Sequence, residues 1–207
     1  MPDADRFLAL GDSYTIGEGV AGDAGWPAQL VRGLHEHGVA IAAPEIVATT
    51  GWTTDELSAA MDGHAFSPPY ALVTLLIGVN DQYRGLDRAA YPPRFARLLE
   101  RAIALAGGRA ARTLAISIPD WGATRFARER GDDAARTGAE IDAYNDAARA
   151  IAAAHGVAWI DVTAASRAAG AADAMLAADG LHPSAAQYAR WTAAILPAAL
   201  RALSAAA

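Results

Sequence analysis

Two short stretches near opposite ends of the chain hold residue types able to do covalent chemistry together. Gly11-Asp12-Ser13 follows the apolar run Phe7–Leu10, so a hydroxyl stands just beyond what reads as a strand. Asp179-Gly180-Leu181-His182-Pro183 puts a carboxylate three residues before an imidazole, across a turn. A serine hydroxyl attacks a carbonyl only when a base takes its proton as it does so. Histidine suits that task because its ordinary pKa lies near neutrality. A carboxylate beside it fixes the ring's tautomer and stabilises the imidazolium that forms. Ser13, His182 and Asp179 are therefore a candidate nucleophile, base and orienting acid, and the reaction they fit is ester hydrolysis. The tetrahedral oxyanion of that reaction needs donors. The amide hydrogens of Ser13 and Gly51, with the side chain of Asn80, are the candidates, and Gly51 has no side chain to block approach.

Those residues meet only if the intervening elements bring them together. Strand patterns fall at Phe7–Leu10, Glu45–Ala48, Tyr70–Ile77, Arg112–Ile118 and Ala158–Val162. Between them, Pro27 near the start and Gly38 at the end mark a helix over Trp26–Glu36. Thr53 and Glu56 form a capping box opening a helix toward Met61, and further helices read from Pro93 to Ala106 and from Glu140 to Ala154. Ser184 and Gln187 form a second capping box before a last helix that Pro197 should kink or interrupt. Residues 121–137 read as irregular and charged, long enough for a lid or pocket wall.

This alternation predicts one domain over residues 1–207, a three-layer α/β/α sandwich on a five-stranded parallel sheet. With the flavodoxin-like order 2-1-3-4-5, strands one, two and three are neighbours, and ligands bind beyond their carboxyl ends. Ser13, Gly51 and Asn80 then converge on one crevice. Strand five lies roughly 15 Å from strand one. The stretch from Val162 to Asp179 can span roughly 50 Å, so His182 can return to Ser13 without strain.

Composition removes several other chemistries. A formal net charge of −6 argues against a nucleic-acid partner. All 17 basic residues are arginines, so lysine Schiff bases and Walker-type phosphate loops are excluded. Without cysteine there is no thiol nucleophile, disulfide or cysteine-bound zinc. The polar, acidic start Met1–Arg6 is unlike a secretory signal, and the longest apolar run, around Tyr70 to Val79, is too short to span a bilayer. A cytoplasmic enzyme with a small-molecule ester substrate, no metal and no cofactor is the expectation.

The chain resembles the SGNH hydrolases, the GDSL esterase/lipase superfamily. The first block stands here as Gly11-Asp12-Ser13-Tyr14-Thr15-Ile16-Gly17, the second block's glycine as Gly51, the third as Gly78-Val79-Asn80-Asp81, and the last as Asp179-Gly180-Leu181-His182-Pro183. The resemblance implies Ser13 as nucleophile, His182 as base, Asp179 as its partner, and Ser13 N–H, Gly51 N–H and Asn80 as the oxyanion hole.

Other residues invite chemistry less. Asp12, next to the nucleophile, is expected to brace its loop. His35 and His37 have metal-ligand spacing, but they end a helix, where histidine is favoured by the dipole, and no third ligand is apparent. Trp52, Trp121 and Phe126 are candidate walls of an acyl pocket; Trp26 is an aromatic of the same kind. Gly17-Glu18-Gly19-Val20-Ala21-Gly22 spells a dinucleotide fingerprint, yet six residues separate it from the first strand and Glu45 begins, rather than ends, the next. Rival functions are an acyltransferase on the same serine, a nucleotide-binding oxidoreductase and a non-catalytic module. Short acyl or aryl esters, thioesters and lysophospholipids are all open as substrates.

Overall fold

The strands with the most continuous apolar runs occupy the centre of the sheet. β1 (Phe7–Asp12) and β3 (Leu72–Leu76) are buried at every position, as strands covered on both faces must be. β2 (Glu45–Thr49), β4 (Thr113–Ile116) and β5 (Ala158–Ile160) complete a parallel sheet in the order β2-β1-β3-β4-β5. The half-exposed residues of β2 and β5 are those of edge strands. The computed structural model describes residues 5–204.

Nine helices surround the sheet among the described residues: α1 (Ser13–Ile16), α2 (Trp26–Glu36), α3 (Thr54–Gly63), α4 (Val79–Tyr83), α5 (Tyr91–Leu105), α6 (Arg125–Arg130), α7 (Ala134–Ala154), α8 (Thr163–Ala169) and α9 (Ala185–Ser204). α2 packs against α9, while α3, α5 and α7 pack side by side. Right-handed crossovers place the first pair on one face of the sheet and the second group on the other. The sandwich, the strand order and the parallel sense all match the sequence reading. Both bounds of α2 do too, as does the Thr53–Glu56 capping box, whose two reciprocal bonds are formed.

Four local expectations are corrected. Residues 121–137 are largely helical. Thr124 accepts from Ala127 N–H to start α6, Gly131 ends it in the left-handed region, and Asp133 accepts from Arg136 N–H to start α7 well before Glu140. α8 lies in a connection read only as a spacer. The Ser184 box is half made: Ser184 Oγ accepts from Gln187 N–H at 3.4 Å, but Gln187 Oε1 is buried without a partner. Finally, of the kink or interruption expected at Pro197, the interruption is absent, since α9 continues through it.

The register sets what the rim of the sheet presents. Asp12 pairs with Thr49 of β2, and Gly11 with Leu76 of β3. The residues that follow, Ser13, Thr50-Gly51 and Gly78-Val79-Asn80, therefore leave the sheet side by side. Among the described residues no helix is long and apolar enough to cross a membrane.

Candidate active site

Ser13 begins α1, so its N–H has no carbonyl four residues back to bind. The loop beneath it is fixed by Asp12, whose Oδ1 accepts from Tyr14 N–H at 3.0 Å. Asp12 is fully buried, and that desolvation, reinforced by repulsion from Asp81, pushes its carboxyl up to about 8. Burial raises Asp81 as well, although it accepts from Thr54 N–H at 2.9 Å and Thr54 Oγ1 at 2.6 Å. Asp12 thus supports the loop, and two acids share the floor of the site.

Gly51 belongs to a turn closed by Trp52 N–H on Thr49 C=O at 3.2 Å. The third residue of such a turn needs positive φ when it is type II, and Gly51 has φ 83°. Its carbonyl accepts from the Arg84 guanidinium, which also pairs with Glu56 at 3.2 Å. Asn80 lies one residue into α4 and donates from Nδ2 to Trp52 C=O at 2.9 Å. Across the same loops, Thr50 Oγ1 donates to Glu18. The Gly51 turn is therefore held from three sides, and its own N–H has no acceptor among the described residues.

The histidine arrives on a turn built for it. Gly180 N–H binds Ala177 C=O at 3.0 Å, and Asp179 Oδ1 accepts from the N–H groups of Leu181 at 2.9 Å and His182 at 3.0 Å. Asp179 Oδ2 receives His182 Nδ1 at 2.6 Å. Burial draws the Asp179 carboxyl upward, but these three donors outweigh it and hold the carboxyl below its ordinary value. With Nδ1 occupied, Nε2 is the ring's free basic nitrogen. The imidazole packs on the ring of Tyr14, the residue after Ser13, with centroids 5.5 Å apart. Gly19 closes the approach, since a Cβ there would meet Ala177 Cβ at 2.7 Å.

Ser13, Gly51, Asn80 and His182 line one cavity of about 150 Å³, together with Tyr83 and Trp121. All five sequence-derived candidates, Asp179 included through its bond to His182, are thus gathered at one rim. No hydrogen bond joins Ser13 Oγ to His182 in this conformation. Of the three candidate wall aromatics, Trp121 lines the cavity; Trp52 and Phe126 lie outside its lining, each partly buried against the core. Of the fingerprint glycines, Gly17 ends α1, Gly19 follows in the loop and Gly22 opens a short 3-10 turn, so none lies on a strand-to-helix turn. His35 and His37 each bind a backbone carbonyl, Ile41 at 2.7 Å and Gly33 at 2.8 Å. Sequence reading missed Tyr14, Tyr83 and Arg84. Arg84 had a signal, four residues after Asn80 and so one helical turn along.

The sequence model of the GDSL-like lipase/acylhydrolase family matches residues 9–190. No curated protein matches the chain by sequence. Among solved structures, TesA is similar with a TM-score of 0.72 and 24% identity, over 94% of this chain and 97% of that one. A variant of Axe2, an acetyl xylan esterase from Geobacillus stearothermophilus, gives 0.71 and 22% over 94% of both chains. The lipase/acylhydrolase from Enterococcus faecalis gives 0.69 and 23%, over 93% and 94%. At these identities the likeness is one of fold.

Proposed function

We propose that this chain, which belongs to the GDSL-like lipase/acylhydrolase family, is a single-domain serine esterase that cleaves carboxylic esters through an acyl-enzyme on Ser13. The observation that carries the reading is the His182–Asp179 bond of 2.6 Å on the wall of the cavity that Ser13, Gly51 and Asn80 also line. Similarity to an acetyl xylan esterase and a lipase/acylhydrolase supports the acyl-transfer class.

In the proposed reaction Ser13 Oγ attacks the ester carbonyl while His182 Nε2 takes its proton. The contact between them tightens when substrate enters, as catalytic bonds in unliganded sites commonly do. Negative charge on the carbonyl oxygen meets Ser13 N–H, Gly51 N–H and the second Nδ2 hydrogen of Asn80. His182 then gives its proton to the leaving alkoxide, and the C–O bond breaks. Water enters, loses a proton to His182 and attacks the acyl carbon. Collapse releases the acid and returns the proton to Ser13. Asp179, held ionised by its three donors, stabilises the imidazolium in both halves.

Turnover of 4-nitrophenyl acetate by the wild type and Ser13→Ala tests the reading. We expect hydrolysis by the first and only background release by the second, with the same circular dichroism. Equal rates from two folded proteins would refute it.

A further inference from the structure

Tyr83 and Trp121 belong to two cavities at once. On one side is the 150 Å³ cavity that holds Ser13 and His182; on the other is a cavity of about 250 Å³ along α7, lined by charged and polar groups such as Asp132, Arg136 and Glu140. The two rings meet edge to face, with centroids 5.2 Å apart and planes at 79°. Buried Trp121 and Tyr83, which is 46% exposed, stand between the two spaces.

Trp121 is not free to swing. It is 7% exposed, and its Nε1 donates to Gln82 Oε1 at 2.8 Å. Gln82 Nε2 in turn donates to Glu140 Oε2 at 2.8 Å, and Arg136 Nε donates to Glu140 Oε1 at 2.9 Å. The Gln82 and Arg136 bonds hold the Glu140 carboxyl below its ordinary value, so it stays an ionised acceptor. Thr124 Oγ1 also donates to the Trp121 backbone C=O at 2.6 Å. The indole is therefore clamped in one orientation by a chain running from α4 to α7.

Resting on the esterase reading above, we propose that the Tyr83–Trp121 pair is the size limit for the acyl chain, and that Gln82 and Glu140 are the positioning residues that hold it shut. The Ser13 cavity opens to solvent, and its volume of about 150 Å³ is that of a benzene-sized group, about six non-hydrogen atoms. A carbonyl with a short alkyl chain fills it. Asn80 and Tyr83 lie on the same short helix, so the carbonyl that Asn80 holds has the partition at its acyl end. The leaving alcohol must stay within reach of His182. Beyond the partition the space is roomier but polar, so a longer chain finds neither room in front of the indole nor an apolar lining behind it. The substrate class is esters of short-chain acids.

Rates on 4-nitrophenyl esters from acetate to decanoate test the proposal, together with a second series in which acetate is kept and the alcohol is lengthened. For the wild type we expect kcat/KM to fall by about 100-fold between butanoate and octanoate. In Trp121→Ala the fall should shrink to about tenfold or less. Gln82→Leu, which leaves the ring but unlatches it, should give an intermediate profile and keeps the test informative should Trp121→Ala fail to fold. A uniform loss across all acyl lengths, an unchanged profile in a folded variant, or a change confined to the alcohol series would overturn the partition. Absence of Ser13 labelling by a fluorophosphonate in the folded wild type would instead overturn the esterase reading itself.

Discussion

Two rims of the same sheet carry a serine near an aspartate, and only one of them is a candidate for chemistry. At the β1–β3 rim Ser13 faces a 150 Å³ cavity shared with a histidine whose other nitrogen is bound to Asp179. At the β4–β5 rim Ser117 borders a larger cavity of about 360 Å³, with Asp161 and Thr163 beside it. Ser117 Oγ accepts from Val162 N–H at 2.8 Å and Thr163 N–H at 3.1 Å, and donates to Asp161 at 3.4 Å. Its hydrogen-bonding capacity is spent on joining β4 to α8. Cavity size alone favours the β4–β5 side, whose lining holds no histidine. What separates the two is a donor set left open toward the cavity beside a base that has been oriented elsewhere.

Substitutions at the two rims should therefore diverge. The largest effect is expected for His182→Ala or Ser13→Ala, with kcat/KM for a short ester falling about 10⁴-fold to 10⁶-fold while the melting temperature moves little. Asp179→Asn should cost about 10⁴-fold, because the amide no longer selects the required tautomer, and steady-state kinetics reads this directly. Asn80→Ala should cost about 10²-fold to 10³-fold, largely in kcat. At the other rim Ser117→Ala should do the reverse, lowering stability by about 1–3 kcal/mol in urea denaturation and leaving turnover within about twofold. Should Ser117→Ala abolish activity in a folded protein, the contrast between the rims fails.

The last prediction concerns pH. The native Asp12 carboxyl, raised from its ordinary 3.8 to about 8 by burial, keeps a proton that the unfolded chain gives up above its ordinary value. Between those two values the native state binds more protons, so this group lowers stability as pH rises and contributes no further change above about 8. Asp12→Asn removes that slope. Melting curves should show the variant gaining on the wild type from about pH 5 to about pH 8, by roughly ten degrees. A constant difference across that range would mean that Asp12 is ionised in the native state.

Much of this architecture was legible because single residues imposed it. Pro27 fixed the start of α2, Thr53 and Glu56 the start of α3, and the continuous apolar run ending at Ile77 the central strand. Strand order then followed, and with it the convergence of the exits at Ser13, Gly51 and Asn80. Residues 121–137 were misread because α6 has no long apolar stripe of its own. It is held by the Thr124 cap and by Phe126 N–H on Gly180 C=O at 3.0 Å, a contact more than fifty residues away in sequence. Asp133, in contrast, was a readable cap for α7 that the alanine-rich sequence after it obscured. The partition of Tyr83 and Trp121 was out of reach. Its existence depends on a Gln82–Glu140 bond between helices far apart in the chain.

The central claim is that Ser13, and not the better-connected Ser117, is the activated hydroxyl. Treating the folded wild type and His182→Ala with a fluorophosphonate, then locating the adduct by peptide mass spectrometry, tests it most directly. We expect one adduct, on the peptide containing Ser13, formed at least about 10³-fold more slowly in His182→Ala. An adduct on the Ser117 peptide, or labelling of Ser13 at the same rate without the histidine, would contradict it.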